Sequence, residues 1–171
     1  MTIHSEHPFM EPPADRDPVR RLRGRLGGVV TLWTSEHDGV RAGLTVSSLM
    51  VAGGEPGRVL ALVDPDSDFC DVLTDGGRAV VQLLEWAHRD LAEMFAGTAP
   101  APGGQFAQTT WDSTAWGPVL STATTWVGVR LESAVEIGWS MLVTATVEET
   151  VIGEDGEPLV HRRGRYEPPG R

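Results

Sequence analysis

Two polar stretches interrupt otherwise apolar sequence and carry groups from which chemistry can be built. The first is Ala42-Gly43-Leu44-Thr45-Val46-Ser47-Ser48-Leu49-Met50. With the strand period of two, Thr45 and Ser47 fall on one face and Ser48 on the other. Hydroxyls on a face that packs toward a core need partners. Cross-strand hydroxyl bonds would satisfy them, and so would a polar planar ligand. Gly43 lacks a Cβ and permits close approach of a backbone or a ligand. The second stretch, Val63-Asp64-Pro65-Asp66-Ser67-Asp68, joins an apolar run to a helix start. Free N–H groups and the positive end of the helix dipole gather at such a junction, which suits an anion. Asp64, Asp66, Asp68 and Asp71 repel a phosphate, however, and plain capping by Asp and Ser is the better account of these residues taken alone.

Other chemistries find less support. His4 and His7 are spaced H-x-x-H near the N-terminus, while His37, His88 and His161 are scattered without a nearby Cys or paired His. A zinc site needs three or four converging ligands, so no metal is expected. No G-x-S-x-G stands between a strand and a helix, and Ser47-Ser48 has no sharp elbow around it. The arginine cluster of residues 16–25 could bind phosphate or RNA, but against the acidity of the whole chain the expectation is a solvated helix face. The net charge of -10, from 14 basic and 24 acidic residues, argues against nucleic acid or an anionic bilayer as main partner.

The elements that must position these groups are mostly strands. Asp17-Pro18 is a helix start, with Val19, Leu22 and Leu26 at helical spacing and Gly27-Gly28 as the stop. Residues 1–16 show no period and are expected to be a flexible arm, leaving 17–171 as one domain. Strands are predicted over 29–34, 40–50 (after an Asp38-Gly39 turn), 58–63, 78–84, 125–131, 141–151 and 159–166. Short helices are predicted over 66–73, capped by Asp66 or Ser67, and over 89–95. This is a mainly β chain with a few short helices, a barrel or sandwich rather than a doubly wound sheet.

At 171 residues, with 40% hydrophobic and 22% charged, the composition is that of a globular domain able to bury a core unaided. The single cysteine, Cys70, excludes an internal disulfide and fits a reducing, cytoplasmic setting. No apolar run reaches the length of a membrane-spanning helix, and the first residues have neither the basic start nor the apolar stretch of a secretory signal.

Taken together, several segments resemble the flavin reductase-like family. They are R-L-R-G-R-L-G-G-V-V-T-L-W-T (21–34), A-G-L-T-V-S-S-L-M (42–50), V-D-P-D-S-D (63–68), H-R-D-L-A-E-M-F-A-G (88–97), A-P-G-G-Q-F (101–106), G-P-V-L (117–120) and P-L-V-H-R-R-G-R-Y (158–166). They stand in family order at family spacing. The resemblance implies an FMN-binding split barrel: a six-stranded antiparallel barrel, a homodimer, and one FMN per subunit near the dimer interface. FAD or a deazaflavin is an alternative ligand. It implies that Thr45, Val46, Ser47 and Ser48 meet the flavin, and that Asp64, Ser67 and Asp68 hold the phosphate or ribityl chain. Gln82 stands where the family often has an Asn facing the cofactor. Arg162 and Tyr166 lie on a closing strand near the site. The activity implied is hydride transfer from NAD(P)H to flavin, with a flavin-dependent monooxygenase as partner.

One departure bears on that activity. Many family reductases carry Gly-Asp-His before the long penultimate strand, with the His beside the nicotinamide. The aligned residues here are Gly138-Trp139-Ser140. The alternative expectation is therefore a flavin- or deazaflavin-binding split barrel without efficient NAD(P)H reductase activity.

Overall fold

In the computed structural model, which describes residues 17–170, the chain starts with a capped helix. Asp17 Oδ1 accepts from the Val19 N–H at 3.0 Å, and Pro18 occupies the first turn of α1 (Pro18–Leu26). The expected arm over residues 1–16, with His4 and His7, lies outside the described residues. After α1 come β1 (Gly28–Val29), β2 (Thr31–His37), β3 (Val40–Val46), β4 (Leu49–Ala52) and β5 (Arg58–Val63). Helix α2 (Asp68–Gly76) leads to β6 (Arg78–Leu83), and a single 3-10 turn precedes α3 (Arg89–Phe95). The remaining strands are β7 (Trp111–Ser113), β8 (Pro118–Leu120), β9 (Trp126–Ile137), β10 (Ser140–Val151), β11 (Val160–Arg162) and β12 (Arg165–Glu167).

The main sheet is antiparallel throughout, in the order β3-β2-β6-β9-β10-β5-β4. Its two edge strands are consecutive in sequence. Predicted as one strand over 40–50, the segment bends at Ser47-Ser48, leaves β2 and pairs with β5. Counting β3 and β4 as one bent strand, the sheet curls round on itself as a six-stranded split barrel. A barrel disposes of sheet edges that would otherwise template aggregation. The predicted return strand over 159–166 is instead a hairpin, β11–β12, turned by Arg163 and Gly164 at φ 52° and 78°. It pairs with β1 to make a three-stranded side sheet.

Alternation along the strands fills the barrel. Val59, Ala61 and Val63 of β5 point inward with Val143 and Ala145 of β10, Val129 of β9 and Val81 of β6. Trp33 and Phe69 meet edge to face at 6.2 Å, so α2 closes one side of the barrel. A second apolar cluster lies outside it, where Val30, Leu32, Leu84, Leu120 and Leu159 pack under Phe95 of α3. Leucine- and phenylalanine-sized side chains fully withdrawn from water each contribute about 1.5–3 kcal/mol. α1 differs: none of its residues is buried, and Val19, Leu22 and Leu26 are all exposed. Its helical apolar spacing has no covering surface within the described chain.

Candidate functional site

The bend between β3 and β4 brings the two polar stretches together. The Leu62 N–H donates to the Ser48 carbonyl at 2.9 Å, so Ser48 lies beside the end of β5, two residues before Asp64. On the other side, a Cβ added at Gly28 would stand 2.7 Å from the Ser47 carbonyl oxygen. Only glycine allows that approach. Gly28 pairs with His161, which sets β11 next to the bend. A further neighbour comes from β10: Met141 pairs with Val63, so the Gly138-Trp139 turn sits at the same end of the sheet as the Asp64–Ser67 turn. One end of the barrel thus gathers residues 47–48, 64–67, 138–140 and 161–162.

What these groups can offer a ligand follows from how their bonds are already committed. Among the described residues, neither the Ser47 nor the Ser48 amide N–H donates to a protein acceptor. The bend points them away from both neighbouring ladders. Exposed Ser47 and half-buried Ser48 also have side-chain hydroxyls without protein partners. Thr45, by contrast, donates its hydroxyl to the Ala92 carbonyl at 2.7 Å and anchors α3. Val46 is buried in the core, and its carbonyl accepts from Thr31 Oγ1 at 2.7 Å. Of the four residues expected at the ligand, 47 and 48 present free donors, whereas the side chains of 45 and 46 are structural.

The second stretch is a built turn. Asp64 Oδ1 accepts from the Asp66 N–H at 2.9 Å, and the Asp64 carbonyl accepts from the Ser67 hydroxyl at 2.7 Å. Ser67 Oγ also accepts from the Cys70 N–H at 3.2 Å, so Ser67 is the N-cap of α2. Asp64, Ser67 and Asp68 line a groove of ≈ 230 Å³ with Arg41, Phe95 and Gln105. Thr45–Ser48 do not line it; residues 41–44 do. Gly43, read as a point of close approach for a backbone or a ligand, instead receives the Phe95 ring, since an added Cβ would lie 2.6 Å from it. Arg41 supplies a cation at the groove's edge, though it is paired with Glu36 at 2.7 Å. Arg41, Phe95 and Gln105 were not singled out from sequence; only the smallness of Gly43 hinted that a ring approaches there.

Gln82 requires a correction. It is fully buried, donates to Thr34 Oγ1 at 3.1 Å and accepts from the Leu120 N–H at 2.7 Å. Its amide ties β6 to β2 and β8 and does not face the barrel end. With the period of two, Ala79 and Val81 of β6 face the barrel interior, and Gln82 falls on the opposite face, which is buried beneath β8.

Arg162 and Tyr166 belong to the side hairpin. Arg162 Nε donates to the Arg25 carbonyl at 3.2 Å, joining β11 to the C-terminus of α1. Tyr166 is half-buried and stacks edge to face on His161 at 5.4 Å. Burial, reinforced by Glu93, pushes its phenol up to about 12, so the hydroxyl stays protonated at neutral pH. His161 is held below the usual imidazole range by burial and by the Arg23 guanidinium, and is a neutral ring there. Elsewhere His88 accepts from the Glu85 N–H through Nδ1 at 3.0 Å and caps the turn before α3. Among the described residues no three His, Cys, Asp or Glu converge as a metal site would require.

Comparison with known proteins identifies the same segment. The model of the "Flavin reductase like domain" matches residues 23–170. An FMN reductase (NADH) of Ancylobacter novellus is 29% identical over 156 residues, covering 91% of this chain and 86% of the relative. The reductase component of a 4-nitrophenol 4-monooxygenase/4-nitrocatechol 2-monooxygenase of Rhodococcus opacus is 28% identical over 90% of this chain and 81% of its own. Among solved structures, the flavin reductase PheA2 superposes with a TM-score of 0.80 at 22% identity, over 90% of this chain and 97% of that one. The NADH:FAD oxidoreductase of Streptomyces globisporus gives 0.80 at 24% identity, over 92% and 95% of the two chains.

Proposed function

Because the chain belongs to the flavin reductase like family over residues 23–170, we propose that it is an NAD(P)H:flavin oxidoreductase holding FMN at the barrel end. The observation that carries this reading is the pair of amides at Ser47 and Ser48 without an acceptor among the described residues, beside a helix-capping turn. Bound flavin supplies two-electron redox chemistry, which belongs to the cofactor; the protein places and tunes it. Donors fixed in advance at the bend stabilise negative charge on a heterocyclic carbonyl edge without reorganising, as an oxyanion hole does. The free N–H groups at the start of α2 and Arg41 favour a phosphate at the Ser67 turn, against the opposing charges of Asp64 and Asp68. Tyr166 and His161, both neutral, frame the bend without adding charge to it.

The same reading extends to assembly and setting. We place a second copy of the chain against the apolar surface that a single copy leaves open, including Leu22 and Leu26 of α1 and Met50 and Val51 of β4, each more than half exposed. The relative named as a monooxygenase reductase component supports a flavin-dependent monooxygenase as the consumer of reduced flavin. No helix among the described residues is long and apolar enough to cross a membrane, and one reduced cysteine fits a cytoplasmic domain spanning 17–171.

The test is anaerobic mixing of flavin-loaded protein with NADH and with NADPH. Bleaching of the flavin absorbance is the expected result; an oxidised spectrum with both nicotinamides defeats the reading. Flavin that binds but stays oxidised selects the alternative of a flavin or deazaflavin carrier. Trp139, 86% exposed where the aligned histidine region falls, is the observation behind that alternative. Sedimentation of the full chain at dimer mass is the expected companion result.

A further inference from the structure

The chain is acidic overall, yet α1 and the β11–β12 hairpin bring together six exposed arginines from segments about 140 positions apart: Arg21, Arg23, Arg25, Arg162, Arg163 and Arg165. The junction is made by backbone. The Arg163 N–H donates to the Gly24 carbonyl at 2.8 Å, and Arg162 Nε to the Arg25 carbonyl at 3.2 Å. Among the described residues, Arg41, Arg58, Arg89 and Arg130 each pair with a carboxylate. None of the six does. The carboxylates on these elements are Asp17, which caps the far end of α1, and Glu167, opposite Val160.

This arrangement costs the folded chain stability. Arg162 and Arg165 stand directly opposite each other across the hairpin, and like charges so placed are destabilising. Arg21 and Arg25 repeat the repulsion at i,i+4 on α1. Arg23 and Arg25 recover part of it at the negative end of the helix dipole. Arg163 holds φ 52° at the hairpin tip, a left-handed position where a long side chain is strained and Gly or Asn would sit more easily. An anion bound between the two segments would relieve the charge repulsion.

We infer that the α1–hairpin arginines form a site for the phosphates of a pyridine dinucleotide, the 2′-phosphate or the diphosphate bridge of the reductant. The location supports a small phosphorylated ligand over a protein surface. Gly28 touches the Ser47 carbonyl and pairs with His161, so Arg162 follows directly on the residue that borders the bend. A dinucleotide whose ring reaches the bend extends its charged half over these guanidinium groups, each able to grip a phosphate through two N–H bonds. This assignment rests on the reductase reading for the identity of the ligand but is tested without turnover.

The test is calorimetric titration of the full chain with 2′,5′-ADP, with 5′-ADP and with uncharged adenosine. Wild type is compared with a double variant, Arg163→Gly with Arg165→Gln. Glycine suits the turn and removing Arg165 ends the opposition to Arg162, so the variant is expected to melt no lower than wild type. Binding of 2′,5′-ADP that weakens about tenfold or more in the variant and fades with added salt assigns the 2′-phosphate. The same loss for 5′-ADP assigns the diphosphate. A wild type that binds neither nucleotide better than adenosine overturns the inference, leaving an acidic protein as the patch's occupant. So does a folded variant that binds both as wild type does. Parallel titration with FMN separates the two readings: a wild type that binds 2′,5′-ADP but not FMN keeps this site and loses the flavin assignment.

Discussion

The Ser47–Ser48 bend and the Asp64–Ser67 turn lie side by side at one end of the barrel, but they use their polar groups in opposite ways. In the turn the Ser67 hydroxyl donates to Asp64 and accepts from Cys70, and Asp64 accepts three times. In the bend two amides are unpartnered among the described residues. The turn is held by its own hydrogen bonds, whereas the bend has donors to spare for a ligand such as the proposed flavin. Side-chain identity in sequence pointed equally to both, because a serine that caps a helix and a serine that flanks a free amide look the same.

The largest effect expected is at a residue belonging to neither region. Gln82→Leu leaves the Leu120 N–H unpaired and removes a donor to Thr34, costing about 3 kcal/mol of stability; flavin affinity of the folded fraction should not change. Denaturant melts and fluorescence titration together check this, and a selective loss of flavin binding would return Gln82 to the site. Next, Gly28→Ala forces the Ser47 carbonyl to move. The expected cost is about 1–3 kcal/mol, together with loss of flavin binding if the bend is the binding element. Retained affinity would transfer that role to the turn.

Ser67 sharpens the contrast. Ser67→Ala removes the cap and should cost about 1 kcal/mol with little change in flavin affinity. Ser67→Asp keeps a capping oxygen but adds a charge facing any phosphate, so melting should hold while flavin affinity falls. Equal affinity in both variants would move the phosphate away from α2. The smallest effect is in the hairpin beside the bend. Tyr166 ionises near 12 in the folded chain against 10 when unfolded. The unfolded state therefore releases its proton first, and stability falls as pH rises from about 10 to 12. Tyr166→Phe should flatten that slope. His161, held below 6.5, gives the mirror effect: its stabilising contribution is present above that value and lost as pH falls through its lower folded pKa.

The periodicity of the chain was enough to place α1, β5 and α3 within a residue and α2 within three, because capping residues and glycine stops are local signals. Asp17, Ser67 and Gly77 each act on atoms within four positions of themselves. Misreadings arose where the signal was not local: the strand expected over 125–131 runs on to Ile137, and β7 and β8 were not expected. Residues 40–50 read as one strand since nothing in their side chains records a change of partner from β2 to β5. Residues 159–166 read as one strand because Arg163 occupies a turn position where glycine or asparagine is usual. The candidate site shows the same limit: the ordered motifs singled out 45–48 and 64–68, but not which hydroxyls were already engaged.

Sequence by itself determined the strand-rich composition, the helix caps, the family and the two polar stretches that meet at one end of the barrel. Only the tertiary structure decided that Gln82 is internal, that Phe95 fills the space over Gly43, and that arginines from both ends of the chain share one surface. The reason is physical. Capping and periodicity depend on neighbours along the chain, whereas the availability of a donor, or the repulsion of a charge, depends on atoms that folding alone brings within reach.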